Sequence, residues 1–374
     1  MQRTRNVRQI NNDHRTDIWV GFFAIILALF GLLMVFESSN VSAFSDFGDK
    51  YRYVKDQFRG LIIGLSIMGL TSFIPYKKYY QWSLPFLIIT IITLFAVFIP
   101  GVGVKAYGAS RWINLGFMNF QPTEMAKLSL VLYLSAWLSE KEKGKLLSFL
   151  MLLGLIIGLV MLQPDMGTAI ILSAIAIIMY FLSGANIMHF VALIPSIILG
   201  VIFLIISSPY RLKRLITYFN PSQDPLGSSY HIRQILIALG TGGLTGVGLG
   251  SSLQKYQYLP EATTDSIFAI IGEEFGFLGS LALIMVFIFF LFRILKIIKN
   301  TQDTYSYLLG SGILVYFGCQ IAVNLGAIVA ILPLTGVPLP FISFGSSNLV
   351  ISLAAVGILI NISKSYQKNH KLYG

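Results

Sequence analysis

Ten segments of this chain are each long and apolar enough to cross a bilayer, and no other feature constrains its fold as much. They run over about 18–36, 59–75, 83–99, 122–139, 146–162, 167–183, 187–207, 267–292, 305–331 and 347–363. A span needs about 20 mostly apolar residues, each rising about 1.5 Å. Each is expected to be helical, because hydrocarbon offers a backbone amide no hydrogen-bond partner. Composition agrees: of 374 residues, 55% are apolar and only 11% are charged, against about 25% charged in soluble domains. So few charges cannot cover a soluble surface, which excludes a soluble enzyme, a disordered chain and a solvated scaffold. The single cysteine, Cys319, excludes a disulfide framework or a thiolate metal site. His14, His189, His231 and His370 are scattered along the chain. The expected architecture is an all-α polytopic membrane protein, a single domain over residues 1–374.

The balance of 27 Lys and Arg against 16 Asp and Glu gives a net charge of +11. In a soluble protein that excess would suggest nucleic acid; between spans it suggests basic loops against an anionic cytoplasmic leaflet. With the N-terminus in the cytoplasm, 15 basic residues fall on that side and 11 on the other. Both termini are therefore expected to be cytoplasmic. The first span follows Arg3, Arg5, Arg8 and Arg15 but is too long for a signal peptide's apolar region, so an uncleaved first helix is expected. Three segments on the other side are long: about 37–58, 100–121 and 208–266. Loops of that length are usually functional or disordered. These carry Pro, Gly and aromatic residues, so a structured extracytoplasmic mouth is expected. The segment 208–266, between the seventh and eighth spans, is expected to move as a lid, with the glycines at 240–250 giving it freedom.

Ionisable residues inside spans are functional candidates, because hydrocarbon disfavours them. Glu124 and Lys127 stand three residues apart in the fourth span and so share a helix face. They read either as a mutually neutralised structural pair or as part of a site. Asp165 begins the sixth span, where it reads as a helix cap or a functional carboxylate. Glu273 and Glu274 are adjacent, and their angular offset places them against different neighbours. Asn324 reads as an interhelical hydrogen bond more readily than as a substrate ligand. Asp265 closes the long segment just before the eighth span. Its alternatives are a cap or a general base at the wet mouth of the bundle. The glycine-rich run 240–250 has neither the preceding strand nor the Lys-Ser/Thr ending of a phosphate loop, so it implies close backbone packing or a re-entrant turn and no nucleotide.

Taken in order, seven motifs carry a family resemblance. They are Gly108-Ala109-Ser110-Arg111-Trp112, Gln121-Pro122-Thr123-Glu124, Gln163-Pro164-Asp165-Met166-Gly167, Tyr230-His231-Ile232-Arg233-Gln234 with the glycine run, Leu259-Pro260-Glu261-Ala262 with Thr264-Asp265, Gly272-Glu273-Glu274, and the stretch from Gly336-Val337-Pro338 to Ser343-Phe344-Gly345. Along nearly its whole length the chain resembles the SEDS family of shape, elongation, division and sporulation proteins. Its Pro-Glu-Ala ahead of Thr-Thr-Asp is closer to the division and sporulation branch. Departures occur at Ser110, Thr263 and Ser266, where the family usually has a basic residue, His and Phe, and in Gly345-Ser346-Ser347-Asn348, where it usually reads Gly-Gly-Ser-Ser. They bear on substrate positioning rather than on the reaction class.

The resemblance implies a ten-helix bundle that polymerises lipid II into peptidoglycan glycan strands by inverting glycosyl transfer in the bacterial cytoplasmic membrane. The family's essential aspartate falls on Asp265, which becomes the expected general base. Arg111, Glu124, Lys127, Asp165, Lys255, Glu261, Ser343 and Gly345 are the expected supporting residues. Arg111, Lys127, Arg214, Arg233 and Lys255 are the cations available to a leaving pyrophosphate. A divalent cation, magnesium or manganese, is a candidate to share that task, with Glu124 and Asp165 as its holders. The implied partners are a class B penicillin-binding protein transpeptidase, lipid II and its undecaprenyl-linked glycan, and other divisome or elongasome membrane proteins, with no nucleic acid. Two rival functions are a flippase for lipid-linked precursors and a non-catalytic division scaffold. A flippase would place essential charges near the midplane and break its helices in repeated halves.

Overall fold

A computed structural model describes residues 17–106, 109–116, 118–140, 145–219 and 228–370. Each of the ten apolar segments is helical. In chain order they are α1 (Ile18–Phe47), α2 (Arg52–Phe73), α3 (Tyr76–Ala96), α4 (Pro122–Ser139), α5 (Leu146–Leu162), α6 (Met166–Leu182) and α7 (Ile187–Ile206), then α10 (Ile267–Lys299), α11 (Thr304–Ile328) and α12 (Ser346–His370). Two further helices, α8 (Pro209–Phe219) and α9 (Ser228–Gly242), lie within the long 208–266 segment. By length and composition α1, α3, α10, α11 and α12 can each cross a membrane, while α5, α6 and Ile187–Phe203 of α7 are apolar but shorter. The two remaining predicted spans, α2 and α4, are more polar. For α4 the reason is position: 15 of its 18 residues are buried. A helix walled off from lipid by protein has no need to be apolar all round.

The sequence expectation differs from the structure in two of the long segments. Most of 37–58 is helical, because α1 continues through Ser38, Ser39 and Asn40 to Phe47, leaving only the link 48–51. Gly48 ends the helix in the left-handed conformation and donates its N–H to Phe44 O at 2.9 Å. The second difference is a small addition to a predominantly helical chain. The strands β1 (Gly103–Ala106), β2 (Ala109–Asn114) and β3 (Asn119–Phe120) form a small antiparallel sheet in the order β1-β2-β3. Val104 pairs with Trp112 and Ile113 with Phe120, so β-branched and aromatic residues face each other across the ladder.

The glycine-rich run has its explanation in α10. This helix breaks at Gly276, with φ 67° and ψ −165°. A break inside the bundle frees backbone groups, which need partners. Residues 243–248 supply them. Val247 N–H and Gly248 N–H donate to Glu273 O and Glu274 O at 3.0 Å, while Phe277 N–H and Leu278 N–H donate to Gly243 O at 2.9 Å and Leu244 O at 3.1 Å. Such backbone-to-backbone contact leaves no room for a Cβ: one on Gly246 would overlap the Glu274 carbonyl, and one on Gly276 the Gly246 amide. The run is therefore a re-entrant segment pinned to α10. Of its glycines, Gly242 and Gly246 serve close packing against α10.

At the opposite end of the bundle Asp303 caps α11, accepting from Ser306 N–H at 2.9 Å, Ser306 O–H at 2.7 Å and Tyr76 O–H at 2.8 Å. Burial pushes the Asp303 carboxyl up, but these donors and the Lys77 charge outweigh it and hold the group below the usual carboxylate range.

Gly276→Ala should lower stability by at least about 2 kcal/mol, from overlap plus a left-handed backbone. Gly240→Ala, which meets open space on α9, should change it by less than about 1 kcal/mol. Unfolding of the two variants in detergent, followed by circular dichroism, checks the contrast.

Candidate functional site

The strongest polar cluster forms where the start of α4, the end of α11 and the start of α12 meet. Glu124 is 2% exposed and Lys127 1%. Lys127 Nζ lies 2.8 Å from the Glu124 carboxylate and donates to Gln320 Oε1 at 2.9 Å. It also sits over the Tyr316 ring, 5.3 Å from its centroid. Asn348 Nδ2 donates to Glu124 Oε2 at 2.7 Å. Each charge therefore has an opposite charge and a neutral amide, as a buried pair needs. The predicted i,i+3 pairing is present. Gln320 and Asn348 complete it; in the sequence Asn348 stands out only as a departure from the family pattern and Gln320 not at all. The rule that singled out Asn324, a polar amide within an apolar span, applies equally to Gln320.

Asp265 lies just beyond this cluster, half-buried and one residue ahead of Ser266, the residue preceding α10. It is not the helix cap. The chain around it is held from three sides. Asn324 Nδ2 donates to Asp265 O at 2.8 Å, Phe344 N–H donates to Thr263 O at 2.8 Å, and His231 Nε2 of α9 lies 2.7 Å from Ser266 Oγ. Asp265 Oδ2 lies 4.0 Å from where a Cβ on Gly336 would sit, so the carboxylate faces the 336–345 stretch. That stretch is itself braced. Ser343 Oγ accepts from Leu339 N–H at 2.8 Å, and Gln57 of α2 bonds both Ser343 O at 3.2 Å and Gly345 N–H at 3.0 Å. Ser343 and Gly345 thus brace the far end of the stretch that begins at Gly336. Asn324, expected to join two helices, instead ties α11 to two loops, because it emerges where the helix meets the mouth.

The other expected supporting residues are engaged elsewhere. Arg111, on β2, donates from Nε to Gln163 O at 2.9 Å and from Nη2 to Pro164 O at 2.7 Å. It neutralises the carbonyl end of α5. Asp165 is the N-cap of α6, accepting Thr168 N–H at 3.0 Å and Thr168 O–H at 2.7 Å. Glu261 is exposed and accepts from Thr264 O–H at 2.7 Å within its own turn. Lys255 is 3% exposed and lies between Glu37 Oε2 at 3.3 Å, Glu274 Oε1 at 3.4 Å and Gly250 O at 2.6 Å. Glu273 accepts from Ser252 O–H, from Leu253 N–H at 3.3 Å and from Gln254 N–H at 3.4 Å. Glu273 and Glu274 were expected to face different neighbours. Both hold the 250–255 stretch, because the re-entrant segment wraps around that end of α10. The Arg214 side chain lies outside the described residues, and so does Gly108.

These donor sets do not fit a divalent cation. Glu124 already holds an ammonium and an amide, and Asp165 holds both donors of Thr168. Among the described residues no three His, Cys, Asp or Glu side chains come together.

Replacing one member of the Glu124–Lys127 pair should cost about 3–5 kcal/mol, because its partner is left buried and charged. The double change Glu124→Gln with Lys127→Met should cost clearly less than the sum of the singles. Denaturant titrations of the four proteins in detergent give the coupling; additive losses would mean the two residues do not communicate.

Comparisons with known proteins give one answer. The family model for the cell cycle proteins FtsW, RodA and SpoVE matches residues 18–368. A probable peptidoglycan glycosyltransferase FtsW from a Geobacter species is 37% identical over 354 residues, covering 93% of this chain and 96% of its own. Stage V sporulation protein E of Bacillus subtilis is 38% identical, with 93% and 97% covered. Among solved structures, a chain from a peptidoglycan synthase complex that coordinates polymerisation and crosslinking superposes with a TM-score of 0.76, at 25% identity and covering 93% and 97%. RodA of Thermus thermophilus shares the fold with a TM-score of 0.69, at 24% identity and covering 94% and 97%.

Proposed function

The chain belongs to the FtsW, RodA and SpoVE family of cell cycle proteins, and from that membership we propose that it is a peptidoglycan glycosyltransferase which polymerises lipid II with Asp265 as general base. The observation that carries the role of Asp265 is its placement: a carboxylate at the mouth, its backbone fixed by Asn324, its side chain facing the braced 336–345 wall. In the proposed step Asp265 takes the proton from the 4-hydroxyl of the acceptor sugar. The acceptor oxygen bonds to the donor's anomeric carbon as the bond from that carbon to the lipid pyrophosphate breaks. One C–O bond forms, one breaks, and the anomeric configuration inverts. General-base assistance of this kind contributes about 10²–10⁴-fold.

The leaving pyrophosphate needs positive charge. Arg111, Lys127 and Lys255 already bond protein acceptors. Arg233, exposed on α9, is the cation proposed to meet it. Lid motion is assigned to α8, because α9 is tied through His231 to Ser266 and through Gly242 to α10. The membrane is the bacterial cytoplasmic membrane, with both termini inside. A class B penicillin-binding protein is the partner, in keeping with the similar chain of the synthase complex. The division or sporulation machinery is its setting, as the names of the relatives suggest. The break in α10 is a feature a flippase would share, although among the described helices no second one carries such a break.

Full-length protein in liposomes with labelled lipid II distinguishes the readings. The expected product is polymer, reduced at least about 10²-fold by Asp265→Asn. Translocated but unpolymerised lipid would favour the flippase, and polymer at the wild-type rate from Asp265→Asn would remove the residue from its role.

A further inference from the structure

We propose that Gln320 and Asn324 of α11 are positioning residues that fix Asp265 relative to the Lys127–Glu124 pair by gripping the successive carbonyls of one shared segment, Val337–Pro338. The proposal rests on the glycosyltransfer reading and goes beyond it in assigning roles to two amides that touch no reacting group. They stand four residues apart, so they project from one face of the helix. They are 0% and 2% exposed. The two carboxamides make complementary bonds. Gln320 Oε1 accepts from Lys127 Nζ at 2.9 Å while its Nε2 donates to Pro338 O at 2.9 Å. Asn324 uses both hydrogens of Nδ2, one to Val337 O and one to Asp265 O, each at 2.8 Å.

The result is a continuous run of hydrogen bonds. It passes from Glu124 to Lys127, Gln320, the carbonyls of Pro338 and Val337, Asn324 and the backbone of Asp265. The links at Glu124, at Lys127 and at Val337 O are buried, where bonds are stronger, and those to Pro338 O and Asp265 O are part-buried. Val337–Pro338 is a suitable strut. Proline fixes the backbone torsion at its centre. Leu339, just beyond it, is pinned by Ser343, which Gln57 holds in turn. The same strut carries Gly336, which Asp265 Oδ2 faces. Removing either amide frees one end of the strut, so Asp265 and Lys127 can drift independently. Base and charge must meet one sugar-lipid together, and displacement of a catalytic group by about 1 Å costs on the order of 100-fold.

The test measures kcat and KM for lipid II, together with the unfolding midpoint, for full-length wild type, Asn324→Leu, Gln320→Met and the double variant in liposomes. Each change removes the donor while keeping approximate size. Asn324→Asp and Gln320→Glu, closer in shape, stand in if an apolar variant fails to fold. The expected result is a fall in kcat per folded molecule of about 10- to 100-fold with KM within about twofold. The double variant should be little worse than the poorer single, since both act through one strut. Wild-type kcat in either variant, or two independent losses that multiply, would overturn the proposal. So would a decline that tracks only the amount of folded protein. A wild-type protein that forms no polymer would instead remove the function the proposal rests on, and the two failures are told apart by that lane alone.

Discussion

The ion pair between Lys127 and Glu124 is the interaction on which the site end of this molecule depends. A lone charge at that depth would be strongly unfavourable, so each member needs the other, and both need the amides of Gln320 and Asn348. Satisfying them forces α4, α11 and α12 into one register. That register places the 336–345 stretch over the end of α11 and the stretch in turn forms the wall that Asp265 faces. A polar cluster that costs stability if it is half complete is thereby a specificity device. Only one arrangement of three helices and one loop completes it.

A second constraint acts through backbone. The break at Gly276 leaves carbonyls and amides that hydrocarbon cannot solvate, and the glycine run returns into the bundle to pair with them. Lys255, Glu273 and Glu274 fasten the returning segment. These three residues look like site chemistry in the sequence, yet the structure uses them to hold a loop against a helix. Arg111 and Asp165 share that fate, one at the carbonyl end of α5 and the other at the amide end of α6. Charged residues at a membrane protein's mouth are often fasteners.

Much of this was legible in the chain. Hydropathy located ten helices because bilayer thickness and backbone satisfaction leave few alternatives. The i,i+3 spacing foretold the Glu124–Lys127 pair because a helix fixes which side chains meet. Less visible was whatever depended on contacts far apart in sequence. The partners of Lys127 and Glu124 lie 193 and 224 residues away, at Gln320 and Asn348. The sheet at 103–120 is too short for a clear alternation to stand out, and the clamping of Glu273 and Glu274 by one loop required knowing that the loop folds back. The polar residues ending α1 looked like a link because they are not apolar, although a helix can continue beyond the hydrocarbon.

The central claim is that Asp265 faces the acceptor hydroxyl in a mouth whose geometry the buried polar cluster sets. The most direct measurement is a structure of the full chain bound to an unreactive lipid II analogue. The account predicts the acceptor 4-hydroxyl within about 2.6–3.2 Å of the Asp265 carboxylate, with the Lys127–Glu124 pair and its amides unchanged. Sugars seated more than about 10 Å from Asp265, beyond the reach of a base or one bridging water, would contradict it.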